Sequence, residues 1–335
     1  MNPNAIDQDL EAVAAALRQE KKCLLTAHTK PDGDALGSMA AMQLALAQLG
    51  ADSAMYLAGA DPIPAEYLFL DTLSAAWRGE LPPDSAARTL IALDCGNAER
   101  IGNDQLVAAA PKIINIDHHG DNSGFGDINL VAGDASSTAE IVYHILQRLD
   151  VEITPQLATA LYTGILVDSG RFQYASTTAV TFQVAADLIN RGVEHTAIFH
   201  HIYENVPLAK AKLLCRMLSG MVIRCDGKLA VGVLDAAAFR ESGAAFEQTD
   251  GLVNNLRAIE GVEVGALIYA RPSEEPGDDT PHYRVSLRSA ADEIDVQRIA
   301  SLKHGGGHRQ ASGFSADETP EEIIEFLTTE VSRAL

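Results

Sequence analysis

Along the first half of the chain, short apolar runs bounded by polar turns alternate with segments of helical period. "CLLTA" (23–27) reads as a buried strand. Met39, Met42, Leu46 and Leu49 then recur at helical spacing, and Gly50 is a stop signal. "TLIAL" (89–93) and "KIINI" (112–116) are two more short buried strands, rich in Ile and Leu. "SSTAEIVYHILQRL" (136–149), "TPQLATALYTGILV" (154–167) and "TAVTFQVAADLINRG" (178–192) read as helices. The second of these has Thr154 as its cap and Pro155 at its first position. This alternation predicts an α/β domain, a doubly wound and mostly parallel sheet with helices on both faces.

The pattern then changes. A helical stretch over 196–218 leads into "MVIRCDGKLAVGVL" (221–234), a hairpin about Asp226-Gly227. "VEVGALIYA" (262–270) and "HYRVSLRS" (282–289) are further strands, separated by the polar turn "RPSEEPGDDTP" (271–281). The expected division is a first domain over 1–195, a helical linker over 196–220 and a smaller, strand-rich α/β domain over 221–335. A cleft between domains is a usual place for a ligand.

Composition narrows the class. A chain of 335 residues is long enough for two domains. No apolar stretch approaches the roughly 20 residues that cross a bilayer. The acidic, amphipathic start is unlike a signal peptide. Cys23, Cys95, Cys215 and Cys225 form no Cys-x-x-Cys pair, which suits reduced thiols in a cytoplasm. Cys95, beside Asp94, reads as a small buried filler rather than a nucleophile. The net charge of −21 repels polyanions at long range and argues against a protein that coats long nucleic acid. Phosphates, if handled, are met few at a time in a local pocket.

The candidate chemistry lies where the apolar runs end. "AHTKPDGDALGSM" (27–39) puts His28, Asp32 and Asp34 within seven positions. "TLIAL" ends at Asp94, "KIINI" ends at Asp117-His118-His119, and Asp168 follows "GILV". In open α/β sheets ligands collect at the carboxyl ends of strands, so groups distant in sequence should converge. Several carboxylates sharing one site need cations to stay ionised. One Asp at a strand end is usually only a cap; all of these together predict a metal site. Imidazole with carboxylate and no thiolate suits Mn²⁺ best, with Mg²⁺ second.

These motifs, taken in order with "RVSLRSAADEIDVQRIASLKHGGGHRQASGF" (284–314), resemble the DHH phosphoesterase superfamily with its DHHA1 domain. The match runs from Ala27 to Phe314, and the two-domain layout is most similar to the nanoRNase/pAp phosphatase group. The resemblance implies a DHH catalytic domain, a DHHA1 substrate-binding domain and an active site in the cleft between them. It implies two divalent metals bridged by Asp94, one completed by His28 and Asp32, the other by Asp34, His118 and Asp168. Asp117 would orient an imidazole, and His119 would face the scissile phosphate as donor or general acid. Arg288, Gly305, Gly306, Gly307 and His308 would hold the rest of the substrate, the glycines as a nest of successive N–H groups. His304 stands where relatives often carry a fourth glycine. The implied activity is hydrolysis of short oligoribonucleotides to 5′ mononucleotides and of pAp to AMP. Cyclic di-AMP or pApA hydrolysis is the close rival, and a non-catalytic nucleotide- or RNA-binding module is the reading from another class. The expected partners are short oligonucleotides or nucleotide phosphates, with no membrane and a homodimer left open. The amino end of the helix at Ser136-Ser137-Thr138 would serve either as a phosphate contact or as simple capping. Arg171 would pair with phosphate or with Asp168, and Phe172 and Tyr174 would stack a base or pack the core.

Overall fold

The computed structural model of the chain describes residues 6–271, 282–290 and 294–335. It divides into two compact units, Met1–Asn205 and Val206–Leu335. In the first unit the elements run α1 (Asp7–Gln19), β1 (Lys22–Thr26), α2 (Gly33–Gln48), β2 (Asp52–Leu57), β3 (Trp77–Arg78) and β4 (Thr89–Leu93). They continue as α3 (Asp104–Ala109), β5 (Ile113–Asp117), β6 (Ile128–Val131), α4 (Thr138–Leu146), α5 (Pro155–Asp168), α6 (Ala179–Asn190) and α7 (His195–Phe199). The six strands pair in the order β3-β2-β1-β4-β5-β6, all parallel.

Both faces of this sheet are apolar, which is why its strands read as continuous runs rather than alternations. Cys23, Leu25, Ile91, Leu93, Ile114 and Ile116 join one core with residues of α1, α2, α4, α5 and α6. Leu24, Leu90 and Ala92 point the other way, onto Ile101 and Leu106. Helices α2 and α5 approach backbone to backbone. A Cβ on Gly37 would lie 2.5 Å from the Ala160 carbonyl oxygen, and one on Gly164 would lie 2.7 Å from Asp34 Oδ1. That close contact sets the depth of the Asp34 carboxylate.

The predicted helix over 196–218 divides. α7 runs into a wide π turn, His200–Glu204, and regular structure resumes only at α8 (Leu208–Ser219), after Pro207. Proline disfavours helical backbone at the residue before it, here Val206. The π turn packs in the first unit, where Phe69 stacks on His201. α8 packs in the second, through Leu213 and Met217.

The second unit continues with β7 (Val222–Arg224), β8 (Leu229–Leu234), α9 (Ala236–Ser242), α10 (Val253–Arg257), β9 (Val264–Arg271) and β10 (His282–Ser289). It ends with α11 (Val296–Ser301), β11 (Gly306–His308), β12 (Ala311–Ala316) and α12 (Pro320–Ala334). Its strand order is β11-β12-β10-β9-β8-β7, antiparallel except for β8 with β9. The predicted β7–β8 hairpin is present, with Asp226 at φ 51° and Gly227 at φ 92° in its turn. The turn expected over 271–281 lies, beyond Arg271, outside the described residues. Among the described residues no helix is long and apolar enough to cross a membrane.

Candidate metal centre

The strand order reverses between β1 and β4, and in such sheets the crevice opens where the order reverses. His28 lies two residues past β1, Asp94 follows β4 directly, and Asp117 ends β5 just before His118 and His119. Asp94 has φ 60°, a left-handed backbone that is costly for a residue with a Cβ. Asp32 is the N-cap of α2, its Oδ1 accepting the amides of Asp34 (2.9 Å) and Ala35 (3.1 Å). The Oδ2 of Asp32 is left over. Asp34 is fully buried and accepts from the amides of Thr138 (2.6 Å) and Ala139 (2.9 Å) and the Ser38 hydroxyl (3.3 Å).

The amino end of α4 is therefore spent on Asp34. Ser137 caps the helix through Glu140 N, Ser136 bonds the Glu140 carboxylate, and Ser136, Ser137 and Thr138 are all fully buried. Of the two readings of this segment, capping is the one the structure bears out.

Ligand atoms of His28, Asp32 and Asp94 lie within 4.8 Å of one another, as do those of Asp34, His118 and Asp168. Asp94 links the groups, with Oδ2 3.5 Å from His28 Nε2 and Oδ1 3.5 Å from His118 Nε2. His118 Nε2 is also 3.3 Å from Asp168 Oδ2 and 4.0 Å from Asp34 Oδ2. His28 Nδ1 lies 2.8 Å from the Thr29 carbonyl oxygen. Since a carbonyl only accepts, Nδ1 carries a proton, and it is Nε2 that faces the cluster, where a cation would take its lone pair. The donor set, oxygens and imidazole nitrogens with spare lone pairs and no thiolate, fits Mn²⁺ or Mg²⁺.

The electrostatics of the bare protein point the same way. Burial, and then the charges of Asp94, Asp168 and Asp32, drive the Asp34 carboxyl well above the usual range. Asp168 is pushed up to about 6, chiefly by burial. At Asp94 burial also raises the pKa but is outweighed by the hydrogen bond from His28 and the charges of His118, His28 and His119. Burial pulls the His28 pKa down, and the Asp94 carboxylate more than restores it. Carboxylates this close share protons unless a cation replaces them.

Beside the cluster, His119 Nδ1 bonds Asp117 Oδ1 at 2.8 Å, and this bond raises the imidazole pKa. Asn122 Nδ2 donates to the other Asp117 oxygen at 2.6 Å, fixing a carboxylate that is fully buried. Arg100 Nη1 stands 3.3 Å from His119 Nε2. Arginine only donates, so Nε2 accepts and the proton sits on Nδ1. Sequence reasoning passed over Arg100. Its signal was slight, an Asn97-capped 3₁₀ turn six residues after Asp94 with no apolar period to place it.

The other candidates fall as follows. Arg288 lies in β10, half-buried. Gly305 donates its N–H to the Ala300 carbonyl (2.9 Å), and Gly306–His308 form an edge strand on β12. The three glycines thus do not make a nest of successive free N–H groups. Gly305 and Gly307 are needed because a Cβ on the first would lie 2.4 Å from the Gly313 oxygen, and one on the second 2.5 Å from the Ala311 oxygen. The side chain of His308 lies outside the described residues. His304 has φ 55°, a left-handed backbone that glycine adopts most readily. Phe172 packs against Tyr162 and Phe182, Arg171 lies 5.1 Å from the centre of the Tyr203 ring, and Tyr174 is exposed. Cys95 is buried, and burial pushes its thiol pKa up, as a filler requires.

A doubly wound domain whose switch point gathers the carboxylates of Asp32, Asp34, Asp94 and Asp168 with the imidazoles of His28 and His118, followed by a mixed-sheet domain, defines an α/β protein with a candidate divalent-cation centre. Residues 22–165 match the model of the DHH family N-terminal domain, and residues 226–334 match that of the DHHA1 domain. The chain is 31% identical to a Thermus thermophilus protein named bifunctional oligoribonuclease and PAP phosphatase NrnA, over 98% of this chain and 96% of that one. It is 26% identical to the Bacillus subtilis protein of the same name, over 91% and 93%. A crystal structure of an exopolyphosphatase-related protein from Bacteroides fragilis shares the fold, with TM-score 0.88 at 22% identity over 98% of this chain and 96% of that one. The chain belongs to the DHH/DHHA1 phosphoesterase family.

Proposed function

We propose that the protein hydrolyses short oligoribonucleotides to 5′ mononucleotides and pAp to AMP. The observation that carries this is the meeting of two ligand groups, His28-Asp32 and Asp34-His118-Asp168, at Asp94. These residues would hold two divalent cations, Mn²⁺ in preference to Mg²⁺, with Asp94 shared. When bound, the cations supply an activated water and neutralise charge at phosphorus. The name carried by the Thermus and Bacillus relatives supports the substrate class.

Both reactions break a bond between phosphorus and a 3′ oxygen, so one site can serve both. Asp117 holds the His119 ring and its Nδ1 proton, and Arg100 bonds Nε2. A scissile phosphate entering here takes over the guanidinium; Nε2, so released, takes a proton from solvent, and the imidazolium held by Asp117 gives that proton to the leaving 3′ oxygen. Arg288 and His308 hold the far end of the substrate. A cytoplasmic setting fits four free cysteines.

The test is steady-state hydrolysis in Mn²⁺ of pAp, di- to pentaribonucleotides, pApA, cyclic di-AMP and pyrophosphate, beside the Asp94→Ala protein. Preference for pAp and short RNA is expected. Preference for cyclic di-AMP or pApA would move the protein to second-messenger turnover. No turnover of any substrate would leave a binding module.

A further inference from the structure

The sheet of the second unit is covered unequally. On one face Val264, Ala266, Ile268, Val285, Leu287 and Phe314 pack under α11 and α12. On the other, α8, α9 and α10 pack on Ala230, Leu234 and Leu267 of β8 and β9. Along β10 the core residues Val285 and Leu287 alternate with Arg284, Ser286 and Arg288, which are only half-buried. Successive side chains of a strand point to opposite faces, so these three share the face away from α11 and α12.

Register shows what lies around them. Arg288 pairs with Gly265 of β9, where a Cβ would lie 2.7 Å from Arg257 N and 3.2 Å from its Cα. Arg257, at the end of α10, is thus seated beside Arg288. Its Nε is buried and has no hydrogen-bond partner among the described residues. A buried donor left unpaired costs free energy, and an absent ligand is one of the few explanations for it. At the other end of β10 the Arg284 guanidinium lies across Gly313, with Cζ 3.7 Å from where a Cβ would be, and Nη1 is 3.4 Å from Ser315 Oγ. Gly313 pairs with Gly306, and a Cβ on Gly306 would meet nothing within 4 Å. The result is a glycine pair with open space above Gly306 and a guanidinium over Gly313.

We propose that this face is an anion track with two stations for different phosphates of one single-stranded oligonucleotide, Arg257 with Arg288 at one and Arg284 over Gly306 and Gly313 at the other. The proposal rests on the function above and deepens it, because it makes Arg284 the residue that sets substrate length. Arg284 and Arg288 are four residues apart on one strand, about 13 Å at the strand rise, so one phosphate does not serve as the fixed partner of both. The planar fork of arginine suits phosphate oxygens. In a chain of net charge −21, such a local cluster is what lets a short polyanion approach at all. pAp, with two phosphates, fills the scissile position and one station; longer chains reach the second.

The test is calorimetric binding of pAp and of 5′-phosphorylated di- to pentaribonucleotides to the full chain in EDTA, with kcat/KM for the same compounds in Mn²⁺. Wild type should bind more tightly as length increases. Arg284→Ala should lower the pentanucleotide-to-pAp ratio of affinities about tenfold, and of kcat/KM similarly through KM, with Arg284→Lys recovering part. The salt dependence of pentanucleotide binding should lose about 0.7 in log-log slope, the share of one phosphate contact on a single strand. An unchanged ratio in Arg284→Ala, or wild-type binding that ignores length, overturns the track while leaving the phosphoesterase reading intact. A wild-type protein that neither binds nor cleaves pAp and short RNA overturns that reading and the track together.

Discussion

The two units hold their site charges in opposite ways. In the first, Asp34 and Asp117 are fully buried and Asp94 is 2% exposed, each fixed by protein donors before any ligand arrives. In the second, Arg284 and Arg288 lie half-buried on the face of the sheet away from α11 and α12. Burial and these donors fix the carboxylates in position, and at Asp34 burial and the neighbouring charges also work against ionisation, which a cation would relieve. Partial exposure leaves the arginines within reach of a ligand, which would suit grip on substrates of varied length. Chemistry and grip are thus separated by burial as well as by sequence.

The contrast is broken most severely at Asp94. Asp94→Ala should abolish turnover of every substrate, by about 10³-fold or more, and isothermal titration with Mn²⁺ should show loss of at least one of two ions. Two ions retained with normal turnover would refute the shared carboxylate. Arg100→Gln comes next, with kcat falling about 10²-fold and KM changing little, because its contact matters once charge develops on phosphate. Arg100→Lys should recover some of that loss; a loss confined to KM would make Arg100 only a binding group. Arg288→Ala should raise KM about tenfold with kcat nearly unchanged, the signature of grip without chemistry. A fall in kcat alone would move Arg288 to the other side of the comparison.

The smallest effect concerns stability. A carboxyl whose folded pKa is raised, as at Asp168 (about 6), stabilises the fold below its unfolded pKa near 4 and loses that contribution as pH rises through about 6. The metal-free protein is therefore penalised at pH 8. Asp168→Asn should raise its Tm in EDTA at pH 8 by a few degrees and by less at pH 4. A lower Tm at pH 8 would show that the ionised carboxylate is stabilised by the protein itself.

How much of this was legible in the sequence follows the same division. "TLIAL" is β4 residue for residue, and Thr154 and Pro155 open α5 as expected, because burial on both faces and capping are written locally. His28, Asp94 and the Asp117–His119 run could be placed because they end apolar strands. Arg100 could not, since a 3₁₀ turn has no period to reveal which way its side chains point. The role of the three glycines was misread because close packing and anion binding both call for a missing Cβ. Arg284 was invisible as a site residue. Only the register of β10 on β12 shows that it lies across Gly313 rather than free in water.

The spread of the metal-site residues along the chain has a consequence for how the protein is made. His28 and Asp168 bound a stretch of 141 residues, and no cation group is complete until its last member is in place. The His28, Asp32 and Asp94 group needs β4 docked on β1, and the Asp34, His118 and Asp168 group needs α5 laid on α2. At about 5–20 residues per second, a ribosome takes roughly 7–28 s to travel from the first of these residues to the last. An emerging chain therefore acquires its two binding groups in a set order. The first group to be complete marks closure of the central strands, and the second marks the docking of α5, with α6 and α7 of the same unit still to follow.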